Sequence, residues 1–292
     1  MPTFPAHDGT VLAYHAEGEG EPLLCLPGGP MRASAYLGDL GGLTADRRLI
    51  RLDLRGTGDS AVPDDDGTYR CDRLVDDVEA LREHCGLDRA DVLAHSAGAN
   101  LALLYAAACP ARVNSLVLVT PGTRALGIAA TGQDWRDAVA LRRGEPWYEA
   151  GRAAWEAFLG GAELDDLWPD IVPFMYGRWD AAARKHAADD AHQTNPHARG
   201  GYYADGAFDP DATRQALAAL EAPVLVIAGE YDGAPTPARA REIAAVFPHG
   251  RAAVQPGAGH YPWLDDPASF RRTVADFPGA VADFAGTGGR PP

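Results

Sequence analysis

Residues 91–100 read Asp91-Val92-Leu93-Ala94-His95-Ser96-Ala97-Gly98-Ala99-Asn100, and a nearly unbroken apolar run continues to Cys109, ahead of Pro110. A short apolar segment, a turn of small residues and a helix apolar on every side read as one unit, a buried strand feeding a buried helix. Pro110 stops the helix because it lacks an amide proton and its ring clashes with the preceding turn. A helix with no polar face has to be covered all round, so this one is expected against the sheet itself. The serine sits at the turn. Small residues two before and two after it let strand and helix approach, and the sharp bend lifts the hydroxyl above the carboxyl edge of the sheet. Open α/β sheets bind their ligands at that edge.

Outward from this unit, strand and helix alternate. Strands are predicted over residues 11–16, 22–26 and 48–54 upstream, and over 113–119, 223–228 and 252–255 downstream. Leu74, Val78, Leu81 and Cys85 recur at helical spacing with Asp76, Asp77, Glu79, Arg82 and Glu83 between them, which predicts an amphipathic helix. Further helices are expected over 237–247, with Thr236 as cap and Pro237 at the first position, and over 267–284. The alternation from residue 22 to 119 demands a parallel sheet with right-handed crossovers. It breaks between residues 122 and 220, where strand signals vanish and five of the six tryptophans gather. So long an insertion is expected to fold as a helical cap. The predicted organisation is a core of residues 1–121 and 221–285, a cap of 122–220, and a frayed tail of 286–292.

Composition limits the partners. The chain has 292 residues, 26 basic and 41 acidic, for a net charge of −15. Such a polyanion repels phosphate backbones and anionic membrane surfaces, so neither nucleic acid nor a membrane is expected as partner. No apolar run approaches the ~18 residues of a membrane span, and residues 1–14 do not resemble a secretory signal. Cys25, Cys71, Cys85 and Cys109 are scattered without a paired motif, which reads as free thiols and a cytoplasmic address. Asp64-Asp65-Asp66 and Asp189-Asp190 lack metal-ligand spacing and read as solvated charge. No metal, and no phosphate or dinucleotide loop, is expected.

A serine hydroxyl needs a base before it can attack. Of nine histidines, His260 stands out in Gly257-Ala258-Gly259-His260, directly after the last predicted strand. The acid that orients such a base is expected between serine and histidine in the chain. Asp232 follows the strand at 223–228 and is the natural candidate, with Glu230 as the alternative. Backbone N–H groups of Ala97 and of Gly28-Gly29, which follow a strand end, are the candidate oxyanion donors. Taken alone, each feature also has a plain reading: a helix-capping serine, an exposed loop histidine, a solvated turn acid, a tight glycine turn.

With these residues in register, the sequence resembles the α/β-hydrolase superfamily over nearly its whole length, and more narrowly its proline iminopeptidase-like branch. Pro27-Gly28-Gly29-Pro30-Met31 stands where that branch has His-Gly-Gly-Pro-Gly, and Asp53-Leu54-Arg55-Gly56-Thr57-Gly58-Asp59-Ser60 where it has Asp-Gln-Arg-Gly-x-Gly-x-Ser. Ala94-His95-Ser96-Ala97-Gly98 stands where it has Gly-Gly-Ser-Trp-Gly, and Gly229-Glu230-Tyr231-Asp232 and Gly257-Ala258-Gly259-His260 match its acid and histidine loops. The resemblance implies a cofactor-free serine hydrolase with the triad Ser96, Asp232 and His260 and oxyanion donors Gly29 and Ala97. It also implies cleavage of small peptides or amides at the N-terminal residue. The family reads the substrate amine through cap glutamates, one within a Trp-Glu pair, and Trp155-Glu156 looks like that pair. The other reading makes Trp155 a helix core residue and Glu156 its wet neighbour. Arg55 is expected to hold loops between Asp53 and the oxyanion turn. The departures at Pro27, Met31 and Ala97 bear on the substrate, and leave three rivals: an esterase or amidase on a small metabolite, a lyase or cyclase using the His–Asp pair as base, and a binding protein that keeps the pocket without turnover.

Overall fold

The computed structural model describes residues 1–277. Its sheet has eight strands: β1 (Thr3–Pro5), β2 (Val11–Glu17), β3 (Pro22–Leu26), β4 (Arg48–Asp53), β5 (Ala90–His95), β6 (Val113–Val119), β7 (Val224–Gly229) and β8 (Gly250–Gln255). Their order across the sheet is β1-β2-β4-β3-β5-β6-β7-β8. β1, β2 and β4 pair antiparallel, and every pairing from β4 through β3 to β8 is parallel. The predicted strands are all present, with ends within two residues. β1 is additional: three residues are too few to show a period.

Helices cover both faces, so the central strands are mostly apolar rather than alternating strictly with polar residues. Their parity still decides which side each residue meets. Leu24, Leu26, Ile50, Leu52, Val92, Leu116, Leu118 and Val226 pack on the side of α1 (Val75–His84) and α2 (Gly98–Ala108). Leu23, Cys25, Leu49, Leu93, Val117, Val119 and Leu225 pack on the other side with Trp263, Phe270 and Val274.

The segment between β6 and β7 contains α3 (Gly132–Ala140), α4 (Tyr148–Leu159), α5 (Leu164–Ile171), α6 (Ala181–Ala188), α7 (Asp190–Gln193), α8 (Pro196–Tyr202) and α9 (Pro210–Leu217). Its packing is divided. Val139, Trp155, Ile171, Phe174 and Ala183 form a small core of their own. Ala198, Tyr202, Leu217 and Leu220 instead join the main core beside α2. The last helices of the described residues are α10 (Pro237–Ala244), α11 (Pro262–Asp265) and α12 (Pro267–Ala275). The expected continuation of the last helix past residue 277, and the tail at 286–292, lie outside the described residues. No helix among the described residues is long and apolar enough to cross a membrane, and all four cysteines are free.

Candidate active site

β5 ends at His95 and α2 begins at Gly98, which leaves two residues to make the turn. Ser96 holds φ at +51°, in the left-handed region that side chains with a Cβ rarely adopt. Such a conformation persists only where its surroundings over-determine it. Here the Ser96 N–H donates to the Val119 carbonyl at 3.0 Å, and its carbonyl accepts from the Gly122 N–H at 2.8 Å. Glycine is required at 98, because a Cβ there would strike the Leu26 and Pro27 carbonyl oxygens. The elbow and the loop after β3 are therefore in direct contact.

His260 arrives from the loop after β8, and Asp232 from the loop after β7. The His260 Nε2 lies 2.9 Å from Ser96 Oγ, and its Nδ1 lies 2.7 Å from Asp232 Oδ2. Asp232 is 1% exposed and its other oxygen accepts from the Ala234 N–H at 2.9 Å. A buried carboxylate acts as acceptor, so His260 carries its proton on Nδ1 and turns the Nε2 lone pair toward the serine hydroxyl. Three bonds pin the His260 main chain: its N–H donates to Met175 at 2.8 Å, and its carbonyl accepts from His95 Nε2 and Thr120 Oγ1, each at 2.9 Å. Glu230, the alternative acid, accepts from the Gly257 N–H at 2.8 Å and so braces the histidine loop instead.

Of the candidate donors, Gly28 is buried and its N–H is already donated to the Tyr36 hydroxyl at 2.7 Å. With that N–H spent on Tyr36 it is not an oxyanion donor, and it is not among the residues that line the cavity. Gly29 lines the cavity with Ser96, and neither its N–H nor that of Ala97 is taken up by another group among the described residues. An oxygen held over Ser96 would find these two donors unoccupied.

The cavity above Ser96 has a volume of about 260 Å³. Gly29, Tyr36, Ser96, His260 and Tyr261 line it from the core, and Leu164, Asp165, Trp168, Met175, Asp190 and Arg199 from the inserted helices. Arg32 also reaches it, although its charge is met on every side. It pairs with Asp190 at 3.2 Å, donates to Gln193 and to the His186 carbonyl, and lies over the Tyr36 ring. Asp165 and Arg199 have no ion-pair partner among the described residues.

The Trp155–Glu156 pair is not part of this cavity. Trp155 is buried in the small core and stacks on Trp135 at 4.2 Å between centroids. Glu156, one residue further round α4, is 44% exposed and bonded to Arg136 at 3.0 Å. That guanidinium holds the Glu156 carboxyl below its ordinary value. Two neighbours on a helix point about 100° apart, so a buried tryptophan sends the next residue to the surface. The expectation for Asp189-Asp190 also needs correcting, since Asp190 lines the cavity and neutralises Arg32. Arg55 ties α1 to the N-terminal loop through Asp77 and Asp8, at 2.8 and 2.7 Å. It is Asp53 that holds the oxyanion side, accepting from the Ser34 and Asp59 N–H groups at 2.8 and 3.0 Å.

Sequence reasoning missed Tyr36, Arg32, Asp165, Trp168 and Arg199, and passed over His95. Apart from His95, which sits inside the nucleophile pentapeptide, none belongs to a short motif. Each enters the site through contacts between distant segments, which no local pattern announces.

A model of the alpha/beta hydrolase fold matches residues 21–267. A proline iminopeptidase of Heyndrickxia coagulans is 34% identical over 108 residues, a match that spans 37% of this chain and 38% of that relative. A putative 2-succinyl-6-hydroxy-2,4-cyclohexadiene-1-carboxylate synthase of Bacillus subtilis is 27% identical over 92% of this chain and 95% of its own length. Among solved structures, the proline iminopeptidase of Mycobacterium smegmatis is similar at a TM-score of 0.73 and 26% identity, covering 94% of this chain and 96% of that one. The esterase RhEst1 of Rhodococcus sp. is similar at a TM-score of 0.71 and 27% identity, covering 94% and 97%. With an eight-stranded, mostly parallel sheet and this match along most of its length, the chain belongs to the α/β-hydrolase fold family.

Proposed function

We propose that the protein is a serine hydrolase that works through an acyl-enzyme on a small ester or amide, and that its finer role is aminopeptidase-like release of an N-terminal residue from a short peptide or amide. One observation carries the reading: the unbroken chain from Asp232 through His260 to Ser96, at 2.7 and 2.9 Å, opening into a cavity lined by Gly29, whose N–H, like that of Ala97 beside the nucleophile, has no other partner among the described residues.

The chemistry follows from those positions. Ser96 Oγ attacks the substrate carbonyl carbon as its proton passes to His260 Nε2, and the imidazolium is stabilised by Asp232. The carbonyl oxygen takes up the negative charge and is met by the Gly29 and Ala97 N–H groups, each worth about 3 kcal/mol to the transition state. His260 then gives its proton to the departing amine or alcohol, leaving the acyl group on Ser96. Water repeats the sequence: it gives one proton to His260 as its oxygen bonds to the acyl carbon, the acyl–Ser96 bond breaks, and His260 passes that proton to Ser96 Oγ.

Support for the finer role comes from the cavity charges. Asp165, beside Trp168, offers a substrate ammonium a carboxylate and a ring face. Arg199 offers a cation to a terminal carboxylate, and a short peptide carries both groups. At about 260 Å³ the space is smaller than the pockets that hold drug-sized ligands, which favours a ligand of that scale. The similarity to an esterase, as close as that to the iminopeptidase structure, favours neutral esters as a second reading.

A substrate panel tests both. Prolyl and alanyl arylamides and dipeptides are compared with p-nitrophenyl esters, each with the Ser96→Ala variant alongside. Turnover of the aminoacyl compounds, lost in the variant, is expected. Turnover of esters alone removes the aminopeptidase role, and turnover that survives in Ser96→Ala removes the serine hydrolase.

A further inference from the structure

Two buried side chains beneath the cavity join its two sides. Tyr36 and His95 are 5% and 2% exposed. The Gly28 N–H donates to the Tyr36 hydroxyl at 2.7 Å, that hydroxyl lies 2.7 Å from His95 Nδ1, and His95 Nε2 lies 2.9 Å from the His260 carbonyl. The direction of every bond is forced. A carbonyl oxygen only accepts, so His95 carries its proton on Nε2. A neutral imidazole then presents Nδ1 as acceptor, so Tyr36 donates to it and uses its oxygen to accept from Gly28. Burial, with the neighbouring His260 adding to it, holds His95 well below its usual value and keeps it neutral.

We propose that Tyr36 and His95 are positioning residues that lock the Pro27–Gly28 peptide, next in the chain to the Gly29 donor, to the His260 main chain, so that oxyanion donor and general base are set by one buried hydrogen-bond chain. This rests on the reading of Ser96, His260 and Gly29 given above. The Gly28 N–H is held away from the substrate by Tyr36, which leaves the adjacent Gly29 N–H to serve as donor. At the other end His95, together with Thr120, fixes the main chain that carries the base. Donors prearranged in this way need not reorganise as charge develops. Removing the Tyr36 hydroxyl strands a buried N–H and a buried ring nitrogen at once, and both loops lose their common anchor.

Two measurements test the inference. In protein labelled at histidine nitrogens, long-range ¹H–¹⁵N correlation is expected to show His95 protonated on Nε2 and His260 on Nδ1, opposite tautomers. In Tyr36→Phe the His95 Nδ1 resonance should move toward that of a nitrogen without a hydrogen bond. In kinetics, turnover is referred to active sites titrated with a fluorophosphonate. Tyr36→Phe and His95→Asn should each lower kcat per titrated site about tenfold, less than loss of an oxyanion donor itself, with KM within about twofold. A merely structural role would lower the number of titrated sites and leave kcat per site unchanged, which would overturn the proposal. So would a His95 proton on Nδ1. Should the wild-type chain take no label, the serine hydrolase reading fails, and the tautomers still decide whether the hydrogen-bond chain exists.

Discussion

The Asp232 carboxylate lies 2.7 Å from His260 Nδ1 and is buried, with its second oxygen held by the Ala234 N–H. An acceptor fixed in this way selects one imidazole tautomer and stabilises the charged ring once it takes the serine proton. Asparagine keeps the shape and loses both effects. Asp232→Asn is expected to lower kcat by about 10³- to 10⁴-fold with little change in KM or in unfolding midpoint. Steady-state kinetics on a p-nitrophenyl ester measure this, and a variant within tenfold of wild type would show that Asp232 does not orient the base.

Recognition of a substrate amine, on the present account, falls to Asp165 and not to Glu156. Glu156→Gln removes an exposed pair with Arg136, and a pair of solvated side chains adds little to stability. Its kinetics should match wild type on aminoacyl arylamides and on neutral esters alike. Asp165→Asn should raise KM for the arylamides about tenfold, the scale of one charge-assisted contact, and spare the esters. Equal effects of Asp165→Asn on both substrate classes would exclude a role in reading the amine.

His186 links the cap to the same tyrosine. Its Nδ1 meets the Tyr176 hydroxyl at 2.8 Å and its Nε2 the Tyr36 carbonyl at 3.2 Å. Burial, then the positive charge of Arg32, pushes its pKa down to about 4. Between that value and the unfolded value of about 6.5, the unfolded chain binds a proton that the folded chain refuses. Stability therefore falls as pH drops through this window, by up to about 1.4 kcal/mol per pH unit from this one group. Urea unfolding of wild type and His186→Asn from pH 7 to pH 4.5 measures it. The variant should show the shallower decline, and parallel declines would contradict the assignment.

What the sequence discloses here depends on how far apart the cooperating residues lie. The central strands are legible because both faces of the sheet are covered, so β3, β7 and most of β5 and β6 read as apolar runs. Ser96, Asp232 and His260 are legible because each follows a strand end, where an α/β sheet presents side chains at one edge. Trp155-Glu156 misled because a pair of residue types on a helix says nothing of the direction each takes; the packing of α4 against Trp135 decides that. Tyr36 and His95, 59 positions apart, meet only once β3 and β5 have paired. Asp165 and Arg199 enter the cavity on separate helices of the insertion, whose mutual placement no periodicity in the chain encodes.

The central claim is that Ser96 is a nucleophile activated by His260. Incubation with a fluorophosphonate, followed by intact-mass measurement and peptide mapping, tests it without knowledge of the natural substrate. One adduct per chain is expected, on the peptide that carries Ser96, abolished in Ser96→Ala and strongly slowed in His260→Ala. A folded wild-type chain that stays unlabelled, or a label found on another residue and retained in Ser96→Ala, would contradict the account.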